Sequence, residues 1–592
     1  MTTGQITVFA ILGGLFVLLA WGRWRYDVVA FIALLAAVIT GIVPAREAFT
    51  GFGHPATVTV AAVLVISRAL ASAGATDLLA KAIMRAAGRI AFHIATLAGL
   101  GALLSCFMNN VGTLGLLMPA ALQSAKKAAR SPALLLMPLS FGTILGGLVT
   151  LIGTPPNIII ASFRGEVTGE AFGMFDFSPV GGAAALAGLA FVALIGWRLV
   201  PARAIKNAAA EDIFDIENYV TEARVVEDSK ALGLTLVELG ETTADIDAQI
   251  VGLIRGDNRL RLRSREELSA GDLLLIEAGP EEIDKLVSKL GLQYSGPRKA
   301  RESLTQTPDA ALAEVVVAPR SPIEGRSVSS LRLQRRFGAS LLAVSRQGHP
   351  HRGRLRNFYF QVGDVLLLHG DSERLPEAAA ALGCLPLAER EISFGKRHTG
   401  PWLIAIFAAA IALATLGFLT IPIALGLALA VMMASGLLPL RELYEGIDWP
   451  VIVLLGALIP VGGALQTTGA TEVIAGAILQ VTAGLAPALV LLLLMVVTMT
   501  LSDILNNAAT AVVMGPIAVS IAERLGANAD PFLMAVAVGA SCAFLTPIGH
   551  QNNALILGPG GYAFGDYWRM GLPLEVIIVA VATPMILLVW PL

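Results

Sequence analysis

Charge is scarce in this sequence. Only 15% of its 592 residues are Asp, Glu, Lys or Arg, against 55% hydrophobic residues, and the mean hydropathy is +0.73. So apolar a chain cannot hide its surface in a water-soluble core, and its long uncharged runs read as membrane spans. The net charge of −2 gives no basic footprint for nucleic acid. Cysteine is scarcer still: Cys106, Cys384 and Cys542 lie far apart, which speaks against a disulfide framework or a zinc site. No Gly-x4-Gly-Lys-Ser/Thr loop appears, so a pump driven by ATP is disfavoured. The spans lack a nucleophile–base pair or metal cluster, so an enzyme is disfavoured too. A basic n-region is missing after Met1, so the first apolar run is expected to be retained.

What is present is a repeated polar pattern. Ser105, Asn109, Asn110, Thr113 and Pro119 reappear as Ser502, Asn506, Asn507, Thr510 and Pro516, each 397 residues on (506 − 109 = 397). A Thr-Pro breaker follows each copy, at Thr154-Pro155-Pro156-Asn157 and at Thr546-Pro547-Ile548-Gly549. Polar amides and helix breakers at matching places in two apolar halves point to a transporter site at mid-membrane.

The chain accordingly reads as a polytopic α-helical membrane protein of two inverted repeats, each with five spans and a re-entrant hairpin. The first repeat is 1–200 with its hairpin at 90–122, and the second is 398–592 with its hairpin at 487–521. An amphipathic surface segment is expected over Asp77–Arg89. Between the repeats the composition turns polar, with short β-like runs such as Asp272–Ile276 and Asp364–Leu368. This insertion is itself duplicated: Gly233, Leu239, Gly271, Asp272, Leu290 and Gly291 recur as Gly325, Leu331, Gly363, Asp364, Leu382 and Gly383, each 92 further on (363 − 271 = 92). It reads as two small α/β modules, 201–297 and 298–397, with a polar linker near 295–308. The Gly-Asp pairs fit hairpin turns. Lys and Arg placed inside put the insertion in the cytoplasm and both termini outside, in the plasma (inner) membrane. Five spans per half turn the second copy upside down.

Asn109, Asn110, Asn506 and Asn507 carry both donors and acceptors, and Thr113 and Thr510 add hydroxyls one turn away. Asn157 and Asn553 stand in the breaks. Together these eight are the candidate anion ligands, helped by the positive ends of the hairpin helices. Carbonyl and hydroxyl oxygens at Ser105, Asn110, Gly153, Thr154 and Pro155, and at Ser502, Asn507, Thr546, Pro547 and Gly549, form two candidate sodium sites. Asp503, a carboxylate in an apolar run, could pair with a cation, carry a proton or cap the hairpin. His550 could move a proton or be a hydrogen-bonded packing residue.

At these residues the chain resembles the divalent anion:sodium symporters, the sodium–sulfate/dicarboxylate family. Asn109-Asn110-Val111 and Asn506-Asn507-Ala508 stand where that family has Ser-Asn-Thr, with the central Asn kept. Gly153-Thr-Pro-Pro-Asn157 matches its first unwound loop. Thr546–Asn553, continuing into Gly558-Pro-Gly-Gly-Tyr562, resembles the sulfate-permease-like branch, and the insertion resembles paired TrkA-type C-terminal regulatory domains. The resemblance implies sodium-coupled uptake of a small oxyanion, foremost sulfate, by a homodimer with an elevator-like hairpin domain. The insertion is expected to sense or hold partners, a small regulatory ligand on the cytosolic modules being one candidate, with dimerising, nucleotide-binding and structural roles left open. A di- or tricarboxylate carrier using sodium or protons is the alternative. A channel gated by the modules is a third reading, weakened by the lack of a Thr-Val-Gly-Tyr-type filter.

Overall fold

The computed structural model describes residues 1–21, 24–72, 83, 88–209, 220–235, 238–239, 248–255, 258–260, 267–278, 280–296, 310–319, 321–331, 333–347, 349–351, 358–371, 374–387, 400–481 and 484–592. Most of the surface segment expected over 77–89, and most of the linker near 295–308, lie outside them. The chain divides into two units: 1–205 with 390–556 and 563–592, and 206–389 with 557–562.

The first unit is helical. Its first half holds α1 (Thr3–Trp21), α2 (Tyr26–Ile39), α3 (Pro55–Ser72), α4 (Ile90–Ser105), α5 (Asn110–Lys127), α6 (Ala133–Gly147), α7 (Pro155–Thr168) and α8 (Ser178–Leu194). Its second half holds α9 (Gly400–Thr415), α10 (Ile421–Ala434), α11 (Leu440–Gly446), α12 (Trp449–Thr467), α13 (Ala470–Val481), α14 (Pro487–Ile504), α15 (Asn507–Leu525), α16 (Ala529–Ser541), α17 (Gln551–Ile556) and α18 (Trp568–Val589). Among the described residues, five helical stretches are long and apolar enough to cross a membrane, and eight further apolar helices are shorter. Among the shorter ones are α4, at 16 residues, and α6, at 15. The chain is a polytopic membrane protein.

The prolines at the first break do not make it. Pro155 and Pro156 occupy the first turn of α7, where a missing N–H costs nothing. The irregular backbone is the stretch before them, Leu148–Thr154. The second break is likewise 542–550, with Pro547 inside it. The halves are sewn together near one end by Arg164 of α7. Its Nε and Nη2 donate to both carboxylate oxygens of Asp530 at 2.8 and 3.1 Å, and its guanidinium lies 4.7 Å from the Phe172 ring. A bidentate pair with a stacked guanidinium fixes orientation as well as distance.

The second unit contains two sheets of one design. Strands β1 (Val220–Arg224), β2 (Ala248–Arg255), β3 (Asn258–Leu260), β4 (Leu273–Ala278) and β5 (Gln293–Gly296) lie in the order β3-β2-β4-β1-β5. Strands β6 (Ala310–Val317), β7 (Ala339–Arg346), β8 (His349–Pro350), β9 (Val365–Asp371) and β10 (Cys384–Pro386) lie in the order β10-β6-β9-β7-β8, the same arrangement read from the other edge. All the pairings are antiparallel, so the modules are α+β rather than the α/β units expected from strand-then-helix order. Each has its own apolar core, one around Leu253, Leu274 and Ile276 and one around Val315, Leu366 and Leu368.

The Gly-Asp pairs do sit at turns, with φ of +90° at Gly271 and +83° at Gly363. The aspartates do more than turn the chain. Arg255 donates from Nε and Nη2 to both oxygens of Asp272, and Arg346 does the same to Asp364. Each Asp also accepts from a turn N–H, Ser269 or Gln361. They are structural clasps.

Candidate binding site at the hairpin tips

Each tip is built the same way. A helix ends at Ser105 or near Ser502, a short turn follows, and an Asn caps the next helix. The Asn109 side chain accepts from Val111 N at 2.8 Å, and Asn506 accepts from Ala508 N at 2.9 Å. That is N-capping, which satisfies an orphan donor of α5 or α15. Ser105 Oγ lies 2.6 Å from one end of the Asn110 amide, and Ser502 Oγ lies 3.1 Å from one end of the Asn507 amide.

The breaks also match, one residue out of step with the tips. Asn157 Nδ2 donates to the carbonyls of Gly147 and Thr150, and Asn553 Nδ2 donates to those of Ala543 and Thr546. Thr150 Oγ1 donates to Cys106 O, and Thr546 Oγ1 donates to Asp503 O. The break residues thus pair at a spacing of 396 (553 − 157 = 396), not 397. Thr546 is the counterpart of Thr150, and His550 that of Thr154. The two Thr-Pro dipeptides recur without being equivalent.

The halves differ in what they add. His550 Nε2 lies 3.2 Å from the far end of the Asn110 amide, and His550 Nδ1 accepts from Asn552 N. With Nδ1 accepting, the ring proton is on Nε2, so it donates to the Asn110 carbonyl oxygen and the amide nitrogen faces Ser105. Ser502 requires the same orientation of Asn507, because its one hydrogen already goes to Ala540 O at 2.6 Å. Asn110 is buried with both amide ends engaged, whereas Asn507 is half-buried and turns its oxygen away from Ser502.

Asn552 completes the join. Its Nδ2 donates to Asn110 O and to Thr143 Oγ1. A run of bonds therefore leads from Asn507 through Ser502, Asp503 O, Thr546 and Gly549 N to His550 and Asn110. Both tips meet at the second break.

The remaining candidates divide. Thr113 is fully buried and its hydroxyl has no partner among the described residues, while Thr510 donates to Asn506 O at the start of its own helix. Asn157 and Asn553 are buried clips; the second also accepts from Ser140 Oγ at 2.8 Å, so both its amide hydrogens and one lone pair of its oxygen are taken. Gly153, Thr154 and Pro155 line the first break, and Gly549 packs so tightly against Asp503 that a Cβ there would lie 2.8 Å from its Cα.

Sequence reasoning missed Asn552, Thr143 and Glu575. Asn552 has Pro156 as its counterpart, so the repeat gave no hint of it. Glu575 did carry a signal, being a carboxylate inside the apolar α18.

The citrate transporter family model, CitMHS, matches residues 16–493 and 483–592. The chain is 31% identical to the uncharacterized transporter sll0640 of Synechocystis, over 99% of this chain and 96% of that one. It is 28% identical to the uncharacterized transporter YfbS of Escherichia coli, over 99% of each. A probable sodium/sulfate cotransporter 3 of Chlamydomonas reinhardtii is 21% identical over 92% of this chain and 83% of the relative. The crystal structure of the YdaH transporter of Alcanivorax borkumensis aligns over 93% of this chain and 87% of its own, at 15% identity and a TM-score of 0.41, too low to show a shared fold.

Proposed function

Because the chain belongs to the citrate transporter family, we propose that it is a secondary carrier importing a small divalent oxyanion, foremost sulfate, together with sodium. The observation that carries this reading is the pair of Ser–Asn clasps joined through one break. Such an arrangement gives a solute two helix N-termini and a set of hard oxygens at one place. The anion lies at the capped ends of α5 and α15, near Asn109, Thr113, Asn506 and Asn507. Asn110, held by Ser105 and His550, sets the geometry of the first tip.

Sodium is served by the outward oxygen of Asn507 and by the carbonyls around Gly153–Pro155 and Thr546–Gly549. Low-identity relatives named as sodium/sulfate cotransporters support both sulfate and sodium. The two halves act as inverted repeats with re-entrant hairpins, moving in an elevator fashion within a homodimer in the plasma membrane. The duplicated modules are cytoplasmic regulators of the TrkA-type C-terminal kind that bind a small ligand.

The test is labelled sulfate uptake into proteoliposomes, competed by a panel of anions, in sodium and in choline. Sulfate should compete best and uptake should need sodium. Strong competition by citrate with weak competition by sulfate would transfer the reading to a tricarboxylate, for which the family's own description speaks. Equal rates in choline would remove sodium.

A further inference from the structure

The two breaks lead into different things. After the first, α7 runs for 14 residues, Pro155–Thr168. After the second, α17 has only six, Gln551–Ile556. At the break spacing of 396, residues 557–562 match 161–166 of the first copy (557 − 396 = 161), which are still inside α7. In the second copy that stretch is Leu557-Gly-Pro-Gly-Gly-Tyr562, a run that breaks a helix.

Leu557–Tyr562 belongs to the second unit rather than the first, and all of Gly558–Tyr562 is buried. Gly561 N donates to Gly558 O and Tyr562 N to Leu557 O, both at 3.0 Å, with Gly561 at φ +61°. That pair of bonds around a left-handed glycine closes the run as a Schellman turn. A Cβ on Gly558 would collide with Gly363 O and lie 3.3 Å from Val365 Cγ2. The turn is therefore seated, backbone to backbone, on the Gly363-Asp364 turn and the start of β9 in the second module. That seat is firm. Gly363 N donates to Val317 O, Val317 N donates to Asp364 O, and Arg346 clasps the Asp364 carboxylate.

The return of the chain into the first unit is anchored as well. Asp566 accepts from Ala563 N at 2.8 Å, and its two oxygens accept from Arg203 Nη2 at 3.2 and 3.0 Å. Arg203 stands in Ala202–Ala209, the helix by which the first repeat leads into the insertion. One residue further on, Tyr567 OH donates to Asn553 O at 2.6 Å. Both ends of 557–562 thus lead to α17, one by the chain itself and the other by that bond.

We propose that Leu557–Tyr562 is a coupling strap: a piece of the second repeat built into the second module, through which the state of that module sets the position of α17. A six-residue helix cannot hold itself in place, so whatever fixes its ends decides where it lies. Asn552 rides on α17 and holds Asn110 O and Thr143 Oγ1. A shift of the strap therefore reaches the first tip through one short rigid element. The first repeat has a full-length helix at the matching place and no such detour, so the control is one-sided. That the strap regulates transport rests on the carrier reading above; the strap itself rests on these contacts alone.

Hydrogen exchange of the full chain in lipid nanodiscs, read peptide by peptide, tests the strap without any transported solute. Gly363→Ala and Gly271→Ala impose matched left-handed strain on the two modules, at φ +83° and +90°. Gly363→Ala should speed exchange of 551–562 at least about fivefold, the low end of what a left-handed alanine costs, and Gly271→Ala less than about twofold. Gly558→Ala should in turn speed exchange across 361–366 by a similar factor. Where either glycine variant fails to fold, Val365→Ala trims the same seat and should loosen 551–562 in its place. Unchanged exchange of 551–562 in the second-module variants, or an equal change in Gly271→Ala, overturns the strap. A second arm reads transport. Sulfate uptake should fall at least about fivefold in Gly558→Ala and stay within about twofold in Gly271→Ala. Unaltered uptake in Gly558→Ala overturns the regulatory role. No sulfate uptake even by the parent protein, with the exchange pattern as expected, would instead retire the sulfate reading and leave the strap standing.

Discussion

The two hairpin–break pairs are the same machine up to a point. Both have a capping Asn, a Ser–Asn clasp, an Asn clip across the break and a Thr hydroxyl on the hairpin backbone. They part at Cys106 against Asp503, Gly147 against Ala543, Thr154 against His550, and Pro156 against Asn552. The first half is thus a neutral clip closed on itself. The second holds the carboxylate and the imidazole, and it reaches across to seize the first tip. Duplication supplied the scaffold, while divergence at a few sites supplied the titratable chemistry and the link between the halves.

The sharpest way to break this comparison is to remove each central amide. Asn110→Ala strands Ser105 and His550 in a buried site, at a cost of about 2–5 kcal/mol for two unsatisfied groups. Asn507→Ala leaves Ser502 its bond to Ala540 O and should cost about 1 kcal/mol. Denaturant unfolding in detergent measures both, and equal losses would erase the asymmetry.

Gly147 comes next. A Cβ there would lie 2.9 Å from the Asn110 amide and 3.3 Å from Gly153 O. Gly147→Ala should therefore destabilise by about 1–3 kcal/mol, although its counterpart is already Ala543. A Gly147→Ala protein as stable as the parent would show that the first tip has slack.

The clips give a finer test. Asn553 makes three side-chain bonds and Asn157 two. Asn553→Ala should lose more stability than Asn157→Ala by about 1 kcal/mol, one net hydrogen bond.

The smallest effect is in the paired modules, where the same clasp has opposite titrations. Burial pushes the Asp272 carboxyl up, but the Arg255 and Ser269 bonds outweigh it and hold the group below the usual carboxylate range. Its stabilisation is present at neutral pH and fades as pH falls through the lowered value. For Asp364 burial prevails over Arg346 and Gln361, so the group lies above the usual range. Its contribution is fullest in acid and is lost as pH rises through that higher value. Both Arg partners are more than a third exposed, so each effect should stay under about 1 kcal/mol. Hydrogen exchange of β1–β5 and β6–β10, corrected for intrinsic rates and followed from neutral pH down through the carboxylate range, should show protection moving in opposite directions. Parallel movement would make the two clasps equivalent.

Much of this was legible before any coordinates. The apolar runs, the paired Asn tips and the duplicated insertion all follow from pattern. The pairing of the breaks did not. Identity of the Thr-Pro dipeptides suggests one alignment, whereas the bonds follow Thr150 with Thr546 and Asn157 with Asn553. One residue fewer between tip and break in the second copy shifts the spacing, and a single deletion in a loop leaves no mark on composition. The prolines misled for a related reason: Pro155 starts a helix as readily as it ends one, and local sequence does not say which. Glu575 went unnoticed because one charge barely changes the hydropathy of a 22-residue helix.

The missing side chain at Gly147 has a wider consequence. With hydrogen as the sole group that fits beneath Asn110, the first tip can be redrawn by evolution or by engineering only through simultaneous changes at both positions. The second copy already carries Ala543 at the matching place and is free of that bond of mutual dependence. Swapping residues between the copies should therefore succeed in one direction and fail in the other.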